Sequence, residues 1–204
     1  MNAAASRTTT PISIQNTLSP TPLPSAAQLT LEQMPMGALE KVFQRGVMPN
    51  LDDLVGWEFR GVNHLPLNVL PVANVLGIKK FVKGFFRTED GRVMGYNSPV
   101  KNNALDGRWH VAPKKFGYYE VAPVDPTSTD NKYLHAVLLD YGKGKNPTFD
   151  PSQVLRDYLV QVDPNNPNLY LGKADAAVGP LRIPTMNFFI LERFRVGLTD
   201  YVKR

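Results

Sequence analysis

His135 sits in the segment Tyr133-Leu134-His135-Ala136-Val137-Leu138-Leu139-Asp140-Tyr141, whose composition suits a strand. Read with period two, Tyr133, His135, Val137, Leu139 and Tyr141 share one face, and Leu134, Ala136, Leu138 and Asp140 share the other. An aromatic and aliphatic face with a single imidazole suits a ligand cavity, because the imidazole can donate a hydrogen bond or act as a general base near neutral pH. The plainer alternative is a hydrogen-bonded histidine in or near the core. A one-residue change of register would exchange the two faces. Tyr119 and Tyr158 add phenols, each a large apolar body with a hydroxyl that wants a partner. The candidate ligand-binding residues are therefore Tyr133, His135, Val137, Tyr141, Tyr158 and Tyr119.

Other chemistry is excluded by what the chain lacks. Without cysteine there are no disulfides, thiolate metal sites or thiol nucleophiles. His64, His110 and His135 are not spaced as a metal site needs, and no metal or cofactor is expected. A G-x-S-x-G elbow, a P-loop and an H-E-x-x-H helix are all missing. Gly142-Lys143-Gly144-Lys145 reads as a turn after a strand. In Arg108-Trp109-His110, the Arg and His share a face opposite the Trp. Lys79 to Arg87 interleaves basic and aromatic residues as single-strand nucleic-acid platforms do. Alternation instead makes it a solvated strand with every second residue in the core, so nucleic acid is not the expected partner. The formal charge of +5 comes from interspersed residues and is compatible with an anionic ligand.

The elements that must position these residues are mostly strands. Residues 1–28 are rich in Ala, Ser, Thr and Pro and cannot bury enough apolar surface to offset their ordering entropy, which predicts a disordered tail. A single domain is expected over 29–204. Thr30 as a cap and Gly46 as a stop predict a helix, its regular part delayed to Pro35. Strands are expected at 57–62, 78–87, 92–101, 108–112, 117–124, 133–141, 158–163, 169–174 and 188–195, about nine in all. Asp90-Gly91 marks a hairpin. Residues 65–77, apolar but broken by Pro66 and Pro71, predict a short helix or lid over one end, and 150–156 a helical turn. Short links between sequential strands give an up-and-down antiparallel barrel, whose closure removes unpaired edges. A two-sheet sandwich is the alternative. No apolar run approaches ~18 residues, so no membrane span is expected. The polar start lacks the apolar stretch of a signal peptide, which makes a cytoplasmic protein the default.

Leu54-Val55-Gly56-Trp57-Glu58-Phe59-Arg60-Gly61 resembles the opening strand of lipocalin-like proteins, in particular the bacterial family named for a G-x-W-x-G motif. Lys83-Gly84-Phe85-Phe86 and Phe188-Phe189-Ile190-Leu191-Glu192-Arg193 are similar to later pieces of that pattern. Trp57 stands at the first motif Gly and Phe59 at its Trp, while Gly61 matches. The resemblance implies an all-β lipocalin-like barrel. It also implies that Trp57 or Phe59 closes one end together with Arg193 or Arg195, a structural pairing through cation–π attraction. The expected function is binding of a small hydrophobic or amphipathic molecule inside the barrel. The alternatives are a barrel enzyme of the isomerase or cyclase type acting on an apolar substrate, and a filled barrel serving as an interaction module. The oligomeric state is left open by the sequence.

Overall fold

Eight antiparallel strands follow one another in sequence order and close on themselves, β1 pairing with both β2 and β8. The structure, a computed structural model, describes residues 23–64, 79–101 and 108–197. The strands are β1 Trp57–His64, β2 Lys80–Arg87, β3 Val93–Pro99, β4 Phe116–Pro123, β5 Val137–Asp140, β6 Leu155–Gln161, β7 Leu169–Val178 and β8 Leu181–Val196. Before them come the helices α1 Ala26–Gln33, α2 Met36–Arg45 and α3 Leu51–Leu54. Among the described residues no helix is long and apolar enough to cross a membrane.

The expected barrel is present, although β6 begins earlier than expected, β7 and β8 run longer, and two expected strands are lost or shortened. Residues 108–112 form no strand and contribute an isolated bridge between Val100 and Val111. The strand expected over 133–141 shrinks to β5, because Ala136 N–H donates to the Tyr133 carbonyl in a turn ahead of it. The hairpin expected at Asp90-Gly91 joins β2 to β3, with Gly91 at φ +83° and Thr88 N–H donating to the Arg92 carbonyl. Pro35 divides the helical region: α1 ends before it and α2 begins after it, stopping at Gly46. The cap of α1 is Ser25, which accepts from Gln28 N–H, while Thr30 lies inside the helix. Asp150 caps a 3-10 turn at Pro151–Val154, as expected for 150–156. The segment expected as a lid, 65–77, lies outside the described residues.

Residues 23–28, counted with the tail on composition, belong to the fold. Gln28 is fully buried and its Oε1 accepts from Arg60 Nε at 3.1 Å. The Leu23 carbonyl accepts from Arg60 Nη2, and Ser25 N–H donates to Glu192. Arg60 and Glu192 form a buried ion pair on the outer wall, which this segment covers.

Both faces of the wall are buried over much of the barrel. Outward residues of β6–β8, such as Val160, Leu171 and Ile190, pack under Leu39 and Phe43 of α2. Inward, Phe59, Phe85, Tyr119, Leu139, Tyr170 and Leu191 fill one half of the barrel solidly. That end is closed by Leu51 and Leu54 of α3 and by Trp57, over whose ring the Arg193 guanidinium lies at 4.6 Å. Arg193 also donates to the carbonyls of Asp53 and Pro167, tying α3 and the β6–β7 turn to the last strand. The other half is open.

Candidate functional site

The open half holds a cavity of about 610 Å³. Strand alternation explains its lining. On β2, Phe81, Lys83 and Phe85 point inward, while Val82 and Phe86 pack on the outside. On β6, Leu155, Asp157 and Leu159 point inward, while Tyr158 and Val160 pack outside. Phe81 and Phe189 lie over Gly61 and Gly172 of neighbouring strands, where any Cβ would overlap the ring. Glycine at those positions lets large rings lie against the wall and leaves the space beside them open.

The cavity floor, just above the packed half, carries a charged cluster. Lys83 Nζ donates to Asn97 Oδ1 at 3.0 Å, to Asp157 Oδ2 at 3.3 Å and to the Tyr141 hydroxyl. The Tyr141 hydroxyl donates to Asp157 Oδ2 at 3.1 Å. Asn97 is held in place by donating to the Gly117 carbonyl at 2.9 Å. The Lys83 ammonium also lies near the rings of Tyr119, Tyr141 and Phe189, at 4.6, 5.1 and 5.1 Å. Lys83 is 2% exposed and Asp157 is 3% exposed.

Burial shapes the protonation chemistry of this floor. It pushes the Lys83 ammonium below the usual lysine range, against the pull of Asp157. It raises the Asp157 carboxyl above the usual carboxylate range, although Lys83 and Tyr141 both favour the anion. Burial, reinforced by the Asp157 charge and by Tyr119, holds the Tyr141 hydroxyl protonated far into alkali. The two ends of the ion pair are thus shifted toward their neutral forms.

Three buried polar atoms on the cavity lining have no hydrogen-bond partner among the described residues: Asp157 Oδ1, Asn187 Oδ1 and Ser152 Oγ. A buried polar atom without a partner costs about 1–3 kcal/mol. The residues that carry them line the cavity, Asp157 from β6, Asn187 from β8 and Ser152 from the turn before β6. Lys80, Lys114 and Phe116 also line the cavity.

The candidates read from the sequence divide between the two sides of the wall. Tyr141 lines the cavity, and Tyr119 and Val137 lie inside the barrel in the packed half. Tyr133, His135 and Tyr158 lie outside, correcting the face expected for them. Tyr133 and Tyr158 pack with Phe43 of α2, their ring centroids 4.9 Å apart. His135 Nε2 is 3.1 Å from the Phe43 carbonyl oxygen, with its ring edge-on to Phe43. The cause is the turn before β5: period two holds only from Val137 onward. Tyr158 faces outward because its neighbour Asp157 faces inward. Strand alternation puts Lys83 on one face with Phe81 and Phe85, but nothing in the sequence marks Lys83 or Asp157 by its chemistry. A lysine between core phenylalanines on a single face was the available signal. The solvated-strand reading of that segment is corrected accordingly.

No protein-family model and no curated protein matches the chain. A solved structure described as "Crystal structure of protein from Thermomonospora curvata" is similar at 17% identity and a TM-score of 0.48, covering 82% of this chain and 93% of that one.

Proposed function

We propose that this protein is a lipocalin-like binding barrel. Its occupant is a small amphipathic molecule whose apolar body lies among Phe81, Leu155 and Phe189 and whose polar end meets the floor. The observation that carries this reading is a mainly apolar cavity of about 610 Å³ whose lining includes the polar groups of Lys83, Asn97, Tyr141, Asp157 and Asn187. A few fixed polar groups in an apolar cavity of this size are the usual make-up of a small-molecule site. Lys83 and Asp157 cancel in charge, which favours an uncharged polar end over a strong anion.

The test is titration with a neutral apolar fluorophore, N-phenyl-1-naphthylamine, together with native mass spectrometry of the freshly purified protein. One molecule bound per chain is expected. Ala174→Phe, which fills the cavity from β7, is expected to weaken that binding at least tenfold while unfolding stays cooperative. Unchanged binding by this variant would place the probe elsewhere and remove the support.

A second reading, an isomerase or cyclase acting on an apolar substrate, is favoured by the convergence of Lys83, Asp157 and Tyr141. Groups shifted toward their less usual protonation states are what proton transfer at neutral pH requires. Under that reading Tyr141→Phe abolishes turnover and leaves affinity within a few-fold.

A further inference from the structure

Lys83 is a buried amine on the cavity lining, its ammonium donating to Asn97, Asp157 and Tyr141. Its ammonium has been drawn into an aromatic box at the floor of a cavity, and its counter-ion Asp157 keeps one carboxylate oxygen unpartnered. A lysine serving only as a structural counter-ion would need no adjoining cavity. We propose that Lys83 is a covalent attachment point, forming an imine with the carbonyl carbon of an apolar aldehyde or ketone bound in the barrel. This rests on the binding function proposed above and names the chemical class of its ligand.

The surrounding groups supply what the step needs. Asp157 takes a proton from the Lys83 ammonium, freeing the nitrogen lone pair. That nitrogen attacks the carbonyl carbon, forming the C–N bond as the carbonyl π electrons move onto oxygen. The Asp157 proton then passes to that oxygen, and the Tyr141 hydroxyl, fixed beside Lys83 and Asp157, donates a hydrogen bond to it. Asp157, again a carboxylate, removes a second proton from nitrogen to give the neutral carbinolamine. It returns that proton to the hydroxyl group, which leaves as water while the nitrogen lone pair forms the C=N bond. The balance is one ammonium and one carbonyl giving one protonated imine and one water, with Asp157 left as its counter-ion. No oxidant, reductant or metal takes part.

The geometry also separates Lys83 from the surface lysines. Those are solvated ammonium ions, whereas burial favours the neutral nucleophilic amine at Lys83. The rings of Phe81 and Phe189 lie beside the Lys83 ammonium on the cavity lining and give an apolar body a surface to pack on.

The experiment treats the full chain with 2-naphthaldehyde and sodium cyanoborohydride at neutral pH and locates the reduced adduct by peptide mass spectrometry. Preferential, saturable labelling of Lys83 is expected, at least tenfold faster than at any other lysine. 2-Naphthalenemethanol, which has the same body but no carbonyl, should compete. Asp157→Asn should slow labelling at least tenfold more than it weakens binding of the alcohol, and Lys83→Met should lose the adduct. Labelling spread evenly over the lysines, or an unlabelled Lys83 in a protein that binds the alcohol, overturns the covalent step and leaves the binding function standing. A protein that takes neither compound overturns both. The labelling site in the unaltered chain decides the matter even if a variant fails to fold.

Discussion

Lys83 and Asp157 carry opposite charges at the centre of an apolar barrel, an arrangement that desolvation makes costly and that removing one partner makes costlier. Lys83→Met leaves the Asp157 carboxylate buried beside Tyr141 with its cation gone. The expected loss is about 3–5 kcal/mol in urea unfolding. Replacing both, as Lys83→Met with Asp157→Leu, should recover most of that loss, because a buried pair exchanged for apolar residues of similar volume is often neutral or stabilising. The double variant should still bind the neutral fluorophore less tightly than the unaltered chain, since the polar floor is gone. If the single variant is as stable as the unaltered chain, the pair is better solvated than its burial indicates. Recovery of stability without recovery of binding would show that these residues are kept for the ligand and not for the fold.

At the scale of elements, the segment before α2 behaves as part of the wall. Arg60 and Glu192 are buried on the outward face of β1 and β8, and Leu23, Ser25 and Gln28 each hydrogen-bond to the pair. A chain beginning at Leu23 should keep the full-length melting temperature, since the composition of residues 1–22 offers little surface to bury. A chain beginning at Leu29 strips those partners from a charged pair. Hydrogen bonds to charged groups contribute about 1.5–3 kcal/mol each, so the loss of several should lower the melting temperature by roughly 10 °C or more in a scanning calorimeter. Equal melting temperatures for the two truncations would mean that water replaces the segment without penalty.

Over the whole molecule, the two ends of the barrel do different work. Trp57, Arg193 and α3 close the packed end, and the polar floor and its cavity occupy the other half. Trp57→Ala should therefore cost about 3 kcal/mol, near the low end for a large aromatic because the ring is only half-buried. Fluorophore affinity should change less than two-fold. A large loss of binding in a stably folded Trp57→Ala would show that the ends communicate and that the packed half is not a rigid base. Such a base is what a fixed polar floor requires, because side chains locked by packing hold their geometry when a ligand arrives.

The sequence by itself determined the strand-rich class, the hairpin at Asp90-Gly91, the helix that begins after Pro35 and stops at Gly46, and the pairing of an early Trp with a late Arg. Each depends on local backbone preference, on local alternation, or, for the Trp–Arg pair, on a resemblance confined to the first and last strands. Where a strand begins is less local: the Tyr133–Ala136 turn has the same residue types as a strand, so period two ran past its true limit and carried His135 to the wrong side. The site was the least legible part. Alternation put Lys83 beside Phe81 and Phe85, but nothing in β2 says that Asp157 of β6 and Tyr141 after β5 face it across the barrel. Only closure and register bring them together, because side chains from strands far apart in sequence meet where the wall curves round on itself. The tertiary structure alone could turn a basic strand into the floor of a cavity.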